Sequence, residues 1–143
     1  MNDQILSPKM LGYWDDDGLN EATDEPGVYC VYRAAKDPES GKMEVQELLH
    51  VGESGSARYG IQHDESRPRW EASLQPEEAL WYAIGPCGKA NRERLKAALI
   101  NAHKPRLDAD SPYLERFPFD RTTVHLYGRK EKLQAIFTVE RQD

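Results

Sequence analysis

The 143-residue chain is short of cysteine and of long apolar runs, and each shortage excludes something. Two cysteines, Cys30 and Cys87, are too few for a disulfide framework and lack the paired spacing of a metal site. They read as buried thiols of a cytoplasmic protein. No stretch approaches the roughly 20 consecutive apolar residues of a membrane-crossing helix, so no membrane partner is expected. Residues 1–8 have neither the basic start nor the apolar run of a signal peptide. Internal repeats and low-complexity tracts are absent as well. Bases are outnumbered, 19 against 25 acids, and the net charge of −6 gives no overall field that would attract nucleic acid.

That deficit is unevenly spread. Residues 1–26 hold seven acids (Asp3, Asp15, Asp16, Asp17, Glu21, Asp24, Glu25) against Lys9 alone, so the remaining residues are neutral overall. Within residues 88–106, Lys89, Arg92, Arg94, Lys96, Lys104 and Arg106 face only Glu93. An acidic leader therefore precedes a body with one strongly cationic segment.

The length suits one domain with a single core. Residues 1–26 read as an irregular acidic arm with a few apolar anchors, a candidate surface for a protein partner. Residues 27–32, rich in β-branched and aromatic side chains, read as a strand. Residues 35–41 carry turn chemistry, and residues 44–51 complete an antiparallel pair. A short helix is expected over 56–65, a loop over 67–70 and a buried strand over 79–84, stopped by Gly85-Pro86. Leu95, Ala98, Leu99 and Ala102 give residues 89–103 the apolar stripe of a helix, ended by Pro105. Residues 122–127 and 133–139 read as a second hairpin turning at 128–131. The expected fold is α+β, a small antiparallel or mixed sheet flanked by helices, divided into an arm (1–26), a central domain (27–108) and a C-terminal hairpin extension (109–143) packed on it.

Two short motifs stand out, Gly27-Val28-Tyr29 and His50-Val51-Gly52, followed by Arg58 and His63. In this order, and with Leu99-Ile100 and His103-Lys104-Pro105-Arg106-Leu107 at the end of the long helix, the segment from Gly27 to about Asp108 resembles the GIY-YIG nuclease domain. The resemblance implies a metal-dependent endonuclease acting on DNA, with one Mg²⁺ or Mn²⁺. Tyr29 takes the place of the first tyrosine and His50 that of the second, where a histidine is able to accept a proton near neutral pH. Arg58 and His63 match the arginine and histidine that contact the phosphate region, although spaced by five residues instead of the usual four.

Two positions depart from the family. The metal-binding glutamate falls on Lys96, and an ammonium cannot ligate a cation. Glu93 lies one turn earlier, about 60° around the helix. Three readings stay open: Glu93 supplies the metal ligand, or metal binding is lost and Lys96 meets the phosphate, or Glu93 pairs with cationic neighbours. The usual asparagine is replaced by Asp108, which when ionised accepts hydrogen bonds but donates none. Arg67, Arg69, Lys89, Arg92, Lys96 and Lys104 form a candidate nucleic-acid strip, with Trp70 available for stacking. A catalytically reduced member of the fold, binding nucleic acid or protein, is the alternative to the nuclease.

Overall fold

A computed structural model describes residues 3–142 of the chain; the first two residues of the expected arm lie outside the described residues. The chain forms β1 (Gln4–Leu6), β2 (Lys9–Trp14), β3 (Gly27–Lys36), β4 (Met43–Ser54), α1 (Ala57–Gln62), α2 (Arg67–Ala72), β5 (Glu78–Pro86), α3 (Lys89–His103), β6 (Thr122–His125), β7 (Tyr127–Gly128) and β8 (Ile136–Val139). Short 3₁₀ turns occupy Leu19–Glu21, Arg106–Asp108 and Pro112–Leu114. The architecture is α+β, with a five-stranded mixed sheet in the order β4-β3-β5-β2-β7 and a three-stranded mixed sheet in the order β1-β6-β8. None of the described helices is long and apolar enough to cross a membrane.

β3 explains the layering. It lies between β4 and β5, and residues 27–32 are buried without a break. A strand covered on both faces needs apolar side chains at every position, not alternate ones. Val28, Cys30 and Tyr32 point into a core shared with α3 and the small sheet, through Leu95, Leu99, Phe117, Val124 and Phe137. Tyr29 and Val31 point the other way, into a second core formed with α1, α2 and Leu19. Burial of Cys30 pushes its thiol up to about 12, so it behaves as a small apolar side chain.

α3 runs from Lys89 to His103, as its periodicity predicts, and the left-handed Lys104 closes it by donating its N–H to Ile100 O before Pro105. The second hairpin is present in β6 and β8, paired with Thr122 opposite Val139. Its first strand, β6, also pairs with β1, in parallel.

Three local expectations are corrected. The leader is not an irregular arm through its length: β2 is an internal strand between β5 and β7, and β1 completes the small sheet. Residues 15–26 alone form a strap over the α1–α2 side, including the Leu19–Glu21 turn. Residues 67–70 are helical rather than a loop, because Pro68 falls in the first turn of α2, where its missing N–H costs no helical hydrogen bond. Trp70 is wholly buried on that helix and therefore offers no face for stacking a base.

Candidate functional site

Tyr29 and Gly52 are cross-strand partners on β3 and β4. The tyrosine ring lies so close over the glycine that a Cβ at Gly52 would stand 2.4 Å from the ring carbon Cζ. Gly60 allows α1 the same intimacy, since a Cβ there would come within 2.6 Å of Ser54 Cβ and 3.3 Å of the Tyr29 ring. The glycines thus let a strand, a helix and an aromatic ring share one small volume. The spacing of the two motifs is, at this level, a packing requirement.

The polar groups around that ring form a closed network. Tyr29 OH donates to Asp64 Oδ2 at 2.6 Å. His50 Nε2 stands 3.4 Å from the same oxygen, and His50 Nδ1 meets Asp108 Oδ1 at 2.5 Å. The second Asp108 oxygen accepts the Val51 N–H at 2.9 Å, and Asp64 Oδ1 accepts the Ser66 N–H at 2.8 Å, where α2 begins. Asp108 sits on the Arg106–Asp108 turn, which packs against the outer edge of β4. One imidazole therefore joins the α1–α2 turn to the edge of the sheet, with Trp70 lying 5.3 Å from it between ring centroids.

The electrostatics follow from burial and pairing. Burial opposes charge on His50, but hydrogen bonds and attraction from Asp108 and Asp64 outweigh it and raise its pKa to about 9. For Asp64, burial favours the neutral acid, and His50, Tyr29 and the Ser66 N–H together overcome it, lowering the carboxyl to about 2. Tyr29 moves well above the ordinary phenol value, first by burial and then through Asp64. At neutral pH the network holds an imidazolium between two carboxylates, with a protonated phenol on one of them. A histidine in that state has both ring nitrogens protonated and offers no lone pair for a proton.

The remaining candidates are engaged elsewhere. Arg58 donates to the backbone carbonyls of Asn20 at 2.8 Å and Ala22 at 3.3 Å, and its guanidinium lies 3.8 Å from Asp24. His63 is exposed; its ring stacks on Tyr59 with centroids 3.9 Å apart, and Nδ1 meets Tyr59 O at 3.0 Å. Glu93 accepts a hydrogen bond from Tyr113 OH, so its contact is neither with a cationic neighbour nor with Tyr29 or His50. Of the five candidate catalytic residues, Tyr29 and His50 converge, through Asp64; Arg58, His63 and Glu93 make no hydrogen bond or ion pair with them. Among the described residues no group of three or more His, Cys, Asp or Glu side chains is arranged to hold a metal ion.

The cationic strip is largely spent inside the molecule. Arg67 pairs with Asp16 at 2.9 Å, donates to Ile61 O and lies over the Trp70 and Tyr82 rings. Arg69 donates to Leu107 O at 2.8 Å, Arg92 pairs with Glu53, and Lys104 donates to Leu114 O. Lys89 and Lys96 alone of the six have no side-chain partner among the described residues. Arg94, counted above in the cationic segment, is buried and donates to Thr122 Oγ1 at 2.7 Å and to the carbonyls of Asp120 and Arg121.

Two of the residues that organise this site were not candidates from sequence. Asp64 carries no local mark, being one acid among 25 and meeting a tyrosine 35 positions earlier. Asp108 stood out as a departure, and so did His50. The structure joins them: His50 and Asp108 are the two ends of one ion pair. Comparison of the chain with protein families, with curated proteins and with solved structures finds no match.

Proposed function

We propose that this protein is a catalytically reduced GIY-YIG-like module that acts by binding a protein partner and not by hydrolysing DNA. The observation that carries the reading is the closed Tyr29–Asp64–His50–Asp108 network: of the groups assigned to water activation Tyr29 is buried and His50 half-buried, and both are engaged by the two carboxylates. A general base must present an unprotonated lone pair to the attacking water, and an imidazolium clamped between two carboxylates presents none. The residues present also do not fit the implied Mg²⁺ or Mn²⁺. Lys96 stands where the resemblance puts the ligand, and Glu93 is committed to the Tyr113 hydroxyl.

Protein is favoured over nucleic acid by the accounting of the cations. Four of the six strip residues spend their charge on internal acceptors, while the chain keeps its net charge of −6. Phosphate binding needs several free cations acting together, each releasing counterions. Supercoiled plasmid incubated with Mg²⁺, with Mn²⁺ or with chelator tests the reading. No nicking above buffer is expected, nor any retardation of duplex DNA that survives 0.15 M salt, roughly the physiological ionic strength. Metal-dependent nicking lost in both Tyr29→Phe and Glu93→Ala would overturn the reading in favour of the nuclease.

A further inference from the structure

The two sheets end on four edge strands, β4 and β7 in the larger and β1 and β8 in the smaller. An edge strand presents unpaired N–H and C=O groups, and proteins blunt such edges with short strands, charges or cover. Three of the four are blunted here. β7 has two residues, and β1 has three and is followed by Ser7-Pro8. β4 has Asp108 on the Val51 N–H and Arg106 on Glu47, and its far end carries Glu44, whose carbonyl the Gln46 amide covers.

β8 has none of these devices. Its residues Ile136-Phe137-Thr138-Val139 are all β-branched or aromatic, with no charge, glycine or proline among them. The register fixes which backbone groups are spent. Leu126 N–H donates to Ala135 O, and Val124 and Thr122 lie opposite Phe137 and Val139. Hydrogen-bonded pairs alternate in an antiparallel ladder, so residues 135, 137 and 139 bond to β6. The N–H and C=O of Ile136 and Thr138 therefore point away from the sheet, where no further strand lies. The side chains agree: Thr123 Oγ1 and Thr138 Oγ1 stand 2.9 Å apart, as a close, non-hydrogen-bonded pair allows. Beside this open edge Ile136 leaves 62% of its surface exposed.

The two ends of the edge differ in charge. Before β8, residues 129–132 hold Arg129, Lys130 and Lys132 against Glu131. After it, Asp3 and Glu140 share Arg121, while Arg141 is paired with Asp120. The leading end is net positive and the trailing end net negative. An antiparallel neighbour runs in the opposite direction, so a second copy of the same strand brings unlike ends together twice. A parallel copy would set like ends side by side.

We infer that β8 pairs antiparallel with β8 of a second copy of this chain across a two-fold axis, joining two three-stranded sheets into one of six strands. Ile136 packs across the axis, and Lys132 of each copy approaches Glu140 of the other. So short an edge buries less than a standard interface, and the association is weak and concentration-dependent. The inference goes beyond the binding reading and does not rest on it: a monomeric protein would leave that reading standing.

Sedimentation velocity of the intact protein from micromolar to near-millimolar concentration tests it, with amide hydrogen exchange on the dilute and the concentrated sample. A reversible monomer–dimer equilibrium is expected, and the Ile136 and Thr138 amides should exchange more slowly in the concentrated sample. Ile136→Lys places a charge at an exposed position; it should keep the wild-type urea midpoint and dimerise at least about tenfold more weakly. Lys132→Glu and Glu140→Lys should each weaken the dimer several-fold, and the two combined should restore it to within about twofold of wild type. Glu44→Lys, on the open end of β4, should dimerise as wild type. A protein that stays monomeric throughout overturns the inference. So does a dimer that is indifferent to Ile136→Lys, or one that is lost in Glu44→Lys with slowed exchange at residues 43–46. Failure of the charge swap to recover dimerisation overturns the antiparallel two-fold arrangement.

Discussion

If His50 is an imidazolium held by two carboxylates, the stability of the protein must depend on pH in a window set by that group. Its pKa in the folded protein is about 9, and an unperturbed histidine has about 6.5. A raised folded-state pKa stabilises the protein fully below the unfolded value. The contribution declines between the two values and is absent above the folded one. At about 1.4 kcal/mol per unit, and allowing for the strong coupling among the three groups, the loss between pH 6.5 and pH 9.5 is about 2–3 kcal/mol. That is a large part of the typical stability of a domain of this size. The window also separates His50 from His103, whose pKa burial lowers, so that His103 acts below pH 6.5 and with the opposite sign. Asp64 works at the far acid end: its folded pKa of about 2 lies below the unfolded value, so its contribution is lost as pH falls through about 4 towards 2.

Urea unfolding at several pH values between 6 and 9.5, on the wild type and His50→Gln, measures the effect. We predict that the wild type loses about 2–3 kcal/mol across the window with an unchanged denaturant slope, whereas His50→Gln is flat to within about 0.5 kcal/mol. The variant should be the less stable of the two at pH 6 and close to the wild type at pH 9.5. Equal pH slopes in the two proteins would refute the paired imidazolium. With it would fall the main argument against His50 as a base.

Gly52→Ala drives a methyl into the Tyr29 ring and should cost about 2–3 kcal/mol through overpacking, read as a lower urea midpoint. Arg94→Met keeps the aliphatic length but strips the donors from Thr122 Oγ1 and the Asp120 and Arg121 carbonyls. A loss of about 2–4 kcal/mol is expected, with hydrogen exchange accelerating first at the Thr122 end of β6.

What could be read from the sequence and what could not divide along physical lines. β3, β5 and α3 were legible because burial on both faces forces continuous apolar runs on strands, and burial on one face forces a helical period. β2 was not: Lys9-Met10-Leu11-Gly12-Tyr13-Trp14 has no clean alternation, and its place between β5 and β7 is decided by residues about 70 and 118 positions away. α2 is too short to show a period, although Pro68 in its first turn was a usable sign. Arg94 had a signal too, since it stands three and four residues before Ala97 and Ala98 on the buried face. The Asp64 contacts had none. Hydrogen bonds between distant turns leave no period behind, and the partners of a functional-looking residue decide whether it is free to act.

The pairing of His50 with Asp108 can be measured. Taken singly, replacement of either partner would be costly. A tyrosine at position 50 beside Asp108 would leave a buried carboxylate without its cation, and an asparagine at 108 beside His50 would leave the imidazolium with Asp64 alone. Together, Tyr and Asn make a neutral pair in the same space, with the asparagine carbonyl still able to accept the Val51 N–H. A thermodynamic cycle of His50→Tyr, Asp108→Asn and the double variant should therefore be strongly non-additive. We predict that the double variant is more stable than the sum of the single effects allows, by about 1–3 kcal/mol at pH 6.5, and that this coupling shrinks above pH 9 as His50 loses its proton. Additivity at both pH values would mean that the two residues vary independently. A coupling that persists unchanged above pH 9 would assign it to packing against Trp70 and not to charge. Even the double variant should not nick plasmid, because Lys96 still occupies the expected metal-ligand position and Glu93 remains bonded to Tyr113.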